Sequence, residues 1–258
     1  LIPIFKRSFP TIEFIPRQDE AHLATRNPEI IYKAPIGHIP KFFWHDLRRH
    51  INKVGSSAFR PIARTEPYLK TDNEHRKKWR RYLDEAGGTR IKVGVCWRSS
   101  IHSRARDRQY LTAEEIVQPF DPRFAVFNIQ YDHMLAETEA LERVCAENGV
   151  VFDTPPDLDL RNDLDELTAL TQELDLIVTP LISTAFMAGA VGTPTWVFRS
   201  SEYSCIWQMF GTDFVPWFPS MRLFFRDPRD PWSSTIESLK AELSKVANDY
   251  SSEFRNQP

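Results

Sequence analysis

Cysteine, net charge and long apolar runs are all scarce in this chain, and each shortage removes a class of protein. The three cysteines, Cys96, Cys145 and Cys205, are odd in number, widely separated and without C-x-x-C or zinc-type spacing. They predict reduced, mostly buried thiols in a cytoplasmic protein rather than a disulfide framework. A formal charge of −2 over 258 residues leaves no global field to recruit nucleic acid or an anionic membrane, so any anion site has to be built locally. No run approaches the ~18 apolar residues of a membrane span, and Leu1-Ile2-Pro3-Ile4-Phe5 ahead of Lys6-Arg7 is too short for a signal peptide. A start at Leu1 rather than methionine points to a processed or trimmed product. Gly94 lies in an apolar run but opens no G-x-G-x-x-G, and no G-x-x-x-x-G-K-[ST] occurs, which excludes a dinucleotide fingerprint and a P-loop. All seven histidines lie at or before His133, so no Ser-His-Asp site forms within the second half alone.

What is present, 41% hydrophobic and 26% charged residues, suffices for one sizeable core plus a smaller piece. Residues 1–67 are rich in proline and aromatics, with one alternating stretch, Thr11-Ile12-Glu13-Phe14-Ile15, that reads as a strand. Pro40-Lys41-Phe42-Phe43-Trp44 reads as packing against the later domain, with the shaping of an acceptor groove as the other possibility. Residues 72–85 place Trp79, Tyr82 and Leu83 at helical spacing before Gly87-Gly88, and the domain boundary is set there.

Beyond that boundary the pattern is regular. Strands are predicted at 91–97, 124–129, from 150, at 176–178 and 195–198. Helices are predicted after Thr112 with Glu115 as a capping box, at 132–148 ending on Gly149, at 163–173, and at 183–191 closed by Gly192. A last helix at 233–250, with Ser234 and Glu237 at capping-box spacing, presents Ile236, Leu239, Leu243 and Val246 on one stripe for packing back on the body. Five short buried strands alternating with helices imply parallel pairing in a Rossmann-like, doubly wound α/β sheet, whose ligands sit beyond the carboxyl ends of the strands.

Two segments reach that edge. The loop from Trp97 to Arg108 holds four arginines (Arg98, Arg104, Arg106, Arg108) and three serines (Ser99, Ser100, Ser103), a set of charge-assisted donors that suits a phosphate, or else a solvated basic loop. His102 is the histidine placed on this loop. The second segment, Thr179 to Gly192, begins a helix of mostly small residues whose free N–H groups and positive dipole end favour an anion, unless Ser183 or Thr184 is merely its cap. Asp157, Asp159, Asp163 and Asp165 read as caps and solvated groups rather than as metal ligands.

Val93-Gly94-Val95-Cys96-Trp97-Arg98, Leu174-Asp175-Leu176-Ile177-Val178, Ala188-Gly189-Ala190-Val191-Gly192-Thr193-Pro194-Thr195-Trp196-Val197 and Pro216-Trp217-Phe218-Pro219-Ser220-Met221-Arg222-Leu223-Phe224 resemble the C-terminal domain of heptosyltransferase-like glycosyltransferases (glycosyltransferase family 9). Members whose catalytic region follows tetratricopeptide repeats are the most similar. Weaker matches at Arg7-Ser8-Phe9-Pro10 and Pro35-Ile36-Gly37-His38-Ile39-Pro40 extend it upstream. The resemblance implies a GT-B architecture: an incomplete N-terminal, acceptor-side remnant at 1–67, a linker helix at 68–88, and a nucleotide-sugar-binding domain with a C-terminal return helix at 89–258. It implies metal-independent transfer from a nucleotide-sugar donor to a glycan or protein acceptor, with no other cofactor and with repeats possible upstream in the same polypeptide. Donor contacts fall at Arg98, Ser99, Ser100, Gln130, Ser183, Thr184, Ala185 and Gly189, and Arg104 stands as the cation that assists departure of the diphosphate. The family's Asp-Thr before the second helix reads Leu181-Ile182 here, and its His-Leu-Ala-Gly reads Phe186-Met187-Ala188-Gly189. These departures keep open a non-catalytic module that holds a nucleotide-sugar, protein or glycan in the same cleft or around Trp217.

Overall fold

The apolar runs become the strands of a single sheet: β1 (Ile91–Val95), β2 (Phe124–Asn128), β3 (Val151–Asp153), β4 (Leu176–Pro180), β5 (Thr195–Ser200) and β6 (Met221–Arg226). They lie in the order β3-β2-β1-β4-β5-β6, every neighbouring pair parallel. The computed structural model describes residues 1–15, 27–32, 34, 36–55, 65–101, 103–132, 134–200, 215 and 217–255. The sixth strand corrects the count of five. β6 pairs with β5 from Thr195↔Met221 to Ser200↔Arg226, and as the edge strand it is only partly covered, so its charged residues hide the apolar run that marks the inner strands.

Ahead of β1 runs α3 (Asn73–Gly87), between the strands run α4 (Arg104–Asp107), α5 (Ala113–Val117), α6 (Leu135–Glu147), α7 (Leu164–Glu173) and α8 (Ser183–Ala190), and after β6 comes α9 (Ser233–Arg255). They follow α1 (Ile2–Ser8), a 3-10 helix (Ile36–Phe43) and α2 (Trp44–Gly55). Side chains alternate across the strands, so Val93, Val95, Val178, Trp196 and Phe198 meet Ile116, Leu141, Leu239 and Leu243 on one face. On the other face Phe127, Ile129 and Ile177 meet Trp79, Leu83, Leu167, Leu170 and Ala188. Helices on both faces of a parallel sheet make the doubly wound α/β class plain.

Local signals set the helix ends. Asp72 accepts from the N–H groups of Glu74 (2.8 Å) and His75 (3.2 Å), and Asp163 from Glu166 (3.0 Å). Thr112 and Glu115 bond each other's backbone at 3.1 and 2.8 Å, the capping box read from the sequence. Gly149 and Gly192 close their helices at φ +66° and +75°.

Three expectations are overturned. Residues 11–15 form a turn and extended chain with no strand; Ile12 and Ile15 are exposed, so the alternation buries no apolar face that would hold it in a sheet. Phe42 and Phe43 are 67% and 58% exposed, and Trp44 is exposed too, so this aromatic run lies on the surface instead of packing on the sheet. Ser234 lies inside α9, its hydroxyl donating to the carbonyl of Pro231 at 3.2 Å, and caps nothing. The apolar stripe of α9 is buried as read.

The chain leaves β1 toward β2 and β3 on one side, and leaves β4 toward β5 and β6 on the other. The carboxyl ends of β1 and β4 are therefore the switch point of the sheet, where diverging loops leave a crevice.

Candidate functional site

Both candidate segments start at this switch point, and buried polar contacts tie them together. Past β1, the N–H of Cys96 still donates to the carbonyl of Val178 at 3.1 Å. The chain then turns around Gln130, which is fully buried at the end of β2. Its Oε1 accepts from the N–H groups of Trp97 (3.0 Å) and Arg98 (3.1 Å) and from the Cys96 thiol (3.0 Å), while Nε2 donates to the carbonyl of Arg98 at 2.9 Å. One carboxamide thus holds the root of the loop from both sides. Burial pushes the Cys96 thiol up to about 12, against the lowering effect of hydrogen bonds that include the hydroxyls of Thr179 and Thr184. It is an inert packing group that bridges β1 to α8.

Ser99 and Ser100 follow on the rim. The Tyr131 hydroxyl donates to Ser99 Oγ at 3.2 Å and accepts from the N–H of Ser100 at 3.1 Å, and Ile101 N–H donates to Ser99 Oγ at 3.2 Å. With its lone pairs occupied, the Ser99 hydroxyl has its proton to give.

The four arginines do not gather on one point. Arg98 is buried and forms a two-pronged pair with Glu137 of α6, Nε to Oε1 and Nη2 to Oε2 both at 2.7 Å. Trp97 Nε1 donates to the same carboxylate at 3.2 Å and Met134 N–H at 2.8 Å. Beside this pair lies an open recess of about 470 Å³, lined among others by Trp97, Tyr110, Leu111, Ala136 and Glu137. Arg104, Arg106 and Arg108 are exposed, on or just after α4, whose cap is Ser103. His102 lies outside the described residues.

At the second segment, Ile182 occupies the cap position of α8 and offers no side-chain acceptor, so neither Ser183 nor Thr184 is the cap. Ser183 is exposed at the start, whereas Thr184 is buried with its hydroxyl turned to Cys96. Ala185 packs with Val197 and Met221. Gly189 lies deeper, where a Cβ would meet the Phe218 ring at 2.8 Å, so its small size serves packing against Phe218. Ser99, Ser100 and Gln130 follow the carboxyl ends of β1 and β2, and Ser183 and Thr184 begin α8 after β4; Gln130, Thr184 and Ser99 are buried there, while Ala185 and Gly189 belong to the packing of α8 on its neighbours.

The two departing positions are part of that packing. Leu181 and Phe186 join an apolar cluster with Ala185, Val197, Val215, Trp217 and Phe218, and the Phe186 and Phe218 rings lie 5.7 Å apart. In the acidic loop Asp163 caps α7 as read, Asp159 accepts from the N–H groups of Arg161 and Asn162, and Asp165, read as a cap or solvated group, pairs instead with Arg7. Among the described residues no group of three or more His, Cys, Asp or Glu side chains converges, and no helix is long and apolar enough to cross a membrane. Cys96 and Cys145 are free and buried; Cys205 lies outside the described residues. Glu137 and Tyr131 escape the sequence reading because their partners stand some 30 to 40 positions away. The signal that was there is Glu137 three residues into a helix start.

No family model matches this chain. Protein FlbA of Caulobacter vibrioides is 28% identical to it over 255 residues, an alignment that covers 96% of this chain and 40% of FlbA. Among solved structures, a glycosyl transferase family 9 protein from Veillonella parvula DSM 2008 is 12% identical with a TM-score of 0.44, covering 70% of this chain and 53% of that one. The wall teichoic acid polymerase TagF is 18% identical with a TM-score of 0.35, covering 69% and 40%. The chain thus spans 40% of FlbA and no more than 53% of either solved chain.

Proposed function

We propose that this chain is the donor-binding part of a cytoplasmic GT-B-type glycosyltransferase that moves a sugar from a nucleotide-sugar to a glycan or protein acceptor without a metal. One observation carries the reading. The switch point sets a serine-lined loop, held at its root by Gln130, next to the strand whose following helix starts without a side-chain cap, the Cys96 N–H bonding that strand at Val178. Backbone N–H groups and the positive end of a helix favour a diphosphate there. The motif resemblance to family 9 glycosyltransferases supports the same assignment. In this scheme the first N–H groups of α8 and the hydroxyls of Ser99 and Ser100 hold the diphosphate, and Arg104, exposed on α4, closes on it as negative charge develops on the leaving group.

Calorimetry with ADP-, UDP-, GDP- and CMP-sugars tests this. Saturable binding of one donor class is expected, and turnover of that donor should persist in EDTA. Arg104→Ala should then slow turnover on the order of 10²-fold with the fold intact, and a near-normal rate removes Arg104 from the role. Thr184 is a poor probe, since its hydroxyl serves Cys96.

A second reading rests on Leu181 and Phe186. Apolar groups packed into one cluster beside the start of α8 favour a module that binds without catalysis. Binding of a donor with no transfer to any acceptor supports it, and silence across the whole panel defeats the donor site itself.

A further inference from the structure

We propose that Arg199 is the buried cation of an oxyanion-binding site at the start of α8. Val197 of β5 packs with Ala185 of α8. Strand side chains alternate, so Arg199 lies on the same face as Val197 and about 7 Å nearer the carboxyl edge, level with the first turn of α8. It stands one residue past the last paired position between β4 and β5, Pro180↔Phe198, and therefore beside Leu181.

Arg199 is 4% exposed, yet its Nε and Nη1 have no hydrogen-bond partner among the described residues. Its guanidinium carbon lies 5.9 Å from the centre of the Phe225 ring, and among the described residues no carboxylate pairs with it. The neighbouring Ser200 hydroxyl, fully buried on the opposite face, is without a partner as well. A guanidinium does not shed its proton, and burying one without a counter-charge is strongly unfavourable. A water molecule would satisfy the N–H groups but not the charge. The uncapped start of α8 adds a partial positive charge on the same face. Two positive groups at one end of the sheet suit an anion supplied by a ligand. The planar fork of arginine selects phosphate or carboxylate oxygens. This deepens the donor reading by naming what the ligand must carry, and it does not depend on transfer chemistry.

The test is thermal unfolding with inorganic phosphate against chloride at matched ionic strength, on the parent chain, Arg199→Met and Arg199→Lys. Phosphate should raise the parent midpoint saturably. Arg199→Met should abolish that rise while melting no lower than the parent in chloride, because an apolar chain replaces an uncompensated charge. Arg199→Lys should retain a smaller rise. A parent insensitive to phosphate, a rise undiminished in Arg199→Met, or a Met variant much less stable than the parent in chloride each overturns the site. Titration with nucleoside diphosphates and with nucleotide-linked uronic acids then separates the source. An Arg199-dependent loss of affinity for the bare diphosphate assigns the leaving group, and a loss confined to the uronic acid assigns the sugar. A phosphate response that needs Arg199, alongside nucleotides that never bind, would retain this site and reject the glycosyltransferase reading.

Discussion

At Glu137 two opposing effects meet on one carboxyl group. Burial pushes its pKa up, while the Arg98 guanidinium, the Met134 N–H and the Trp97 indole N–H pull it further down, leaving it at about 2 against an ordinary 4.5. The folded chain then binds fewer protons than the unfolded one between these values. The pair stabilises fully above pH 4.5, and its contribution is lost as the pH falls toward 2. Glu137→Gln should lower stability at neutral pH by about 2 kcal/mol and flatten the acid limb of the stability curve, as measured by urea unfolding across pH. An unchanged limb would show that another carboxylate governs it. The sequence offered Arg98 as a donor contact by its position in the loop. Only the approach of α6, 39 positions on, turned its guanidinium onto a carboxylate, because long-range pairing depends on how helices pack and leaves no mark in the local pattern.

Among the elements, those whose ends are set by their own residues were the most legible. Thr112 with Glu115 and Asp163 with Glu166 bond within one turn, so four consecutive residues contain the whole interaction. The same local sign, glycine after a helix, covers two different situations. At Gly149 a Cβ would meet only Pro122 Cγ at 3.3 Å, whereas at Gly192 it would lie 2.0 Å from the carbonyl oxygen of Thr65, whose N–H donates to the Gly192 carbonyl at 3.1 Å. Gly149→Ala should cost about 1 kcal/mol, the strain of a positive φ alone. Gly192→Ala should cost roughly 3 kcal/mol, because backbone has to move as well. Equal shifts of the melting temperature in the two variants would contradict the close approach. β6 was legible only as part of a motif, since an edge strand that keeps one flank open lacks the continuous apolar run of a buried one.

For the molecule as a whole, the boundary placed after Gly88 bears on whether α3 stands apart from the sheet. Trp79 and Leu83 are buried among Phe127, Leu167 and Leu170, and Arg76 and Arg80 both pair with Glu173 of α7. Trp79→Ala should therefore destabilise the sheet itself by about 3–5 kcal/mol, in one transition seen alike by far- and near-ultraviolet circular dichroism. Loss of helix signal with the sheet midpoint unmoved would mean that α3 acts as a linker. From the order of apolar runs and helix caps alone, the sequence determined the doubly wound class and hence which edge of the sheet carries the switch point, because burial period and hydrogen-bond closure are properties of short segments. The tertiary structure alone decided which polar groups at that edge are consumed by partners and which are left. Arg98 and Arg199 are the same residue type near the same edge, one paired with Glu137 and the other with its Nε and Nη1 unpaired among the described residues. The difference lies in which distant side chain the fold brings within reach.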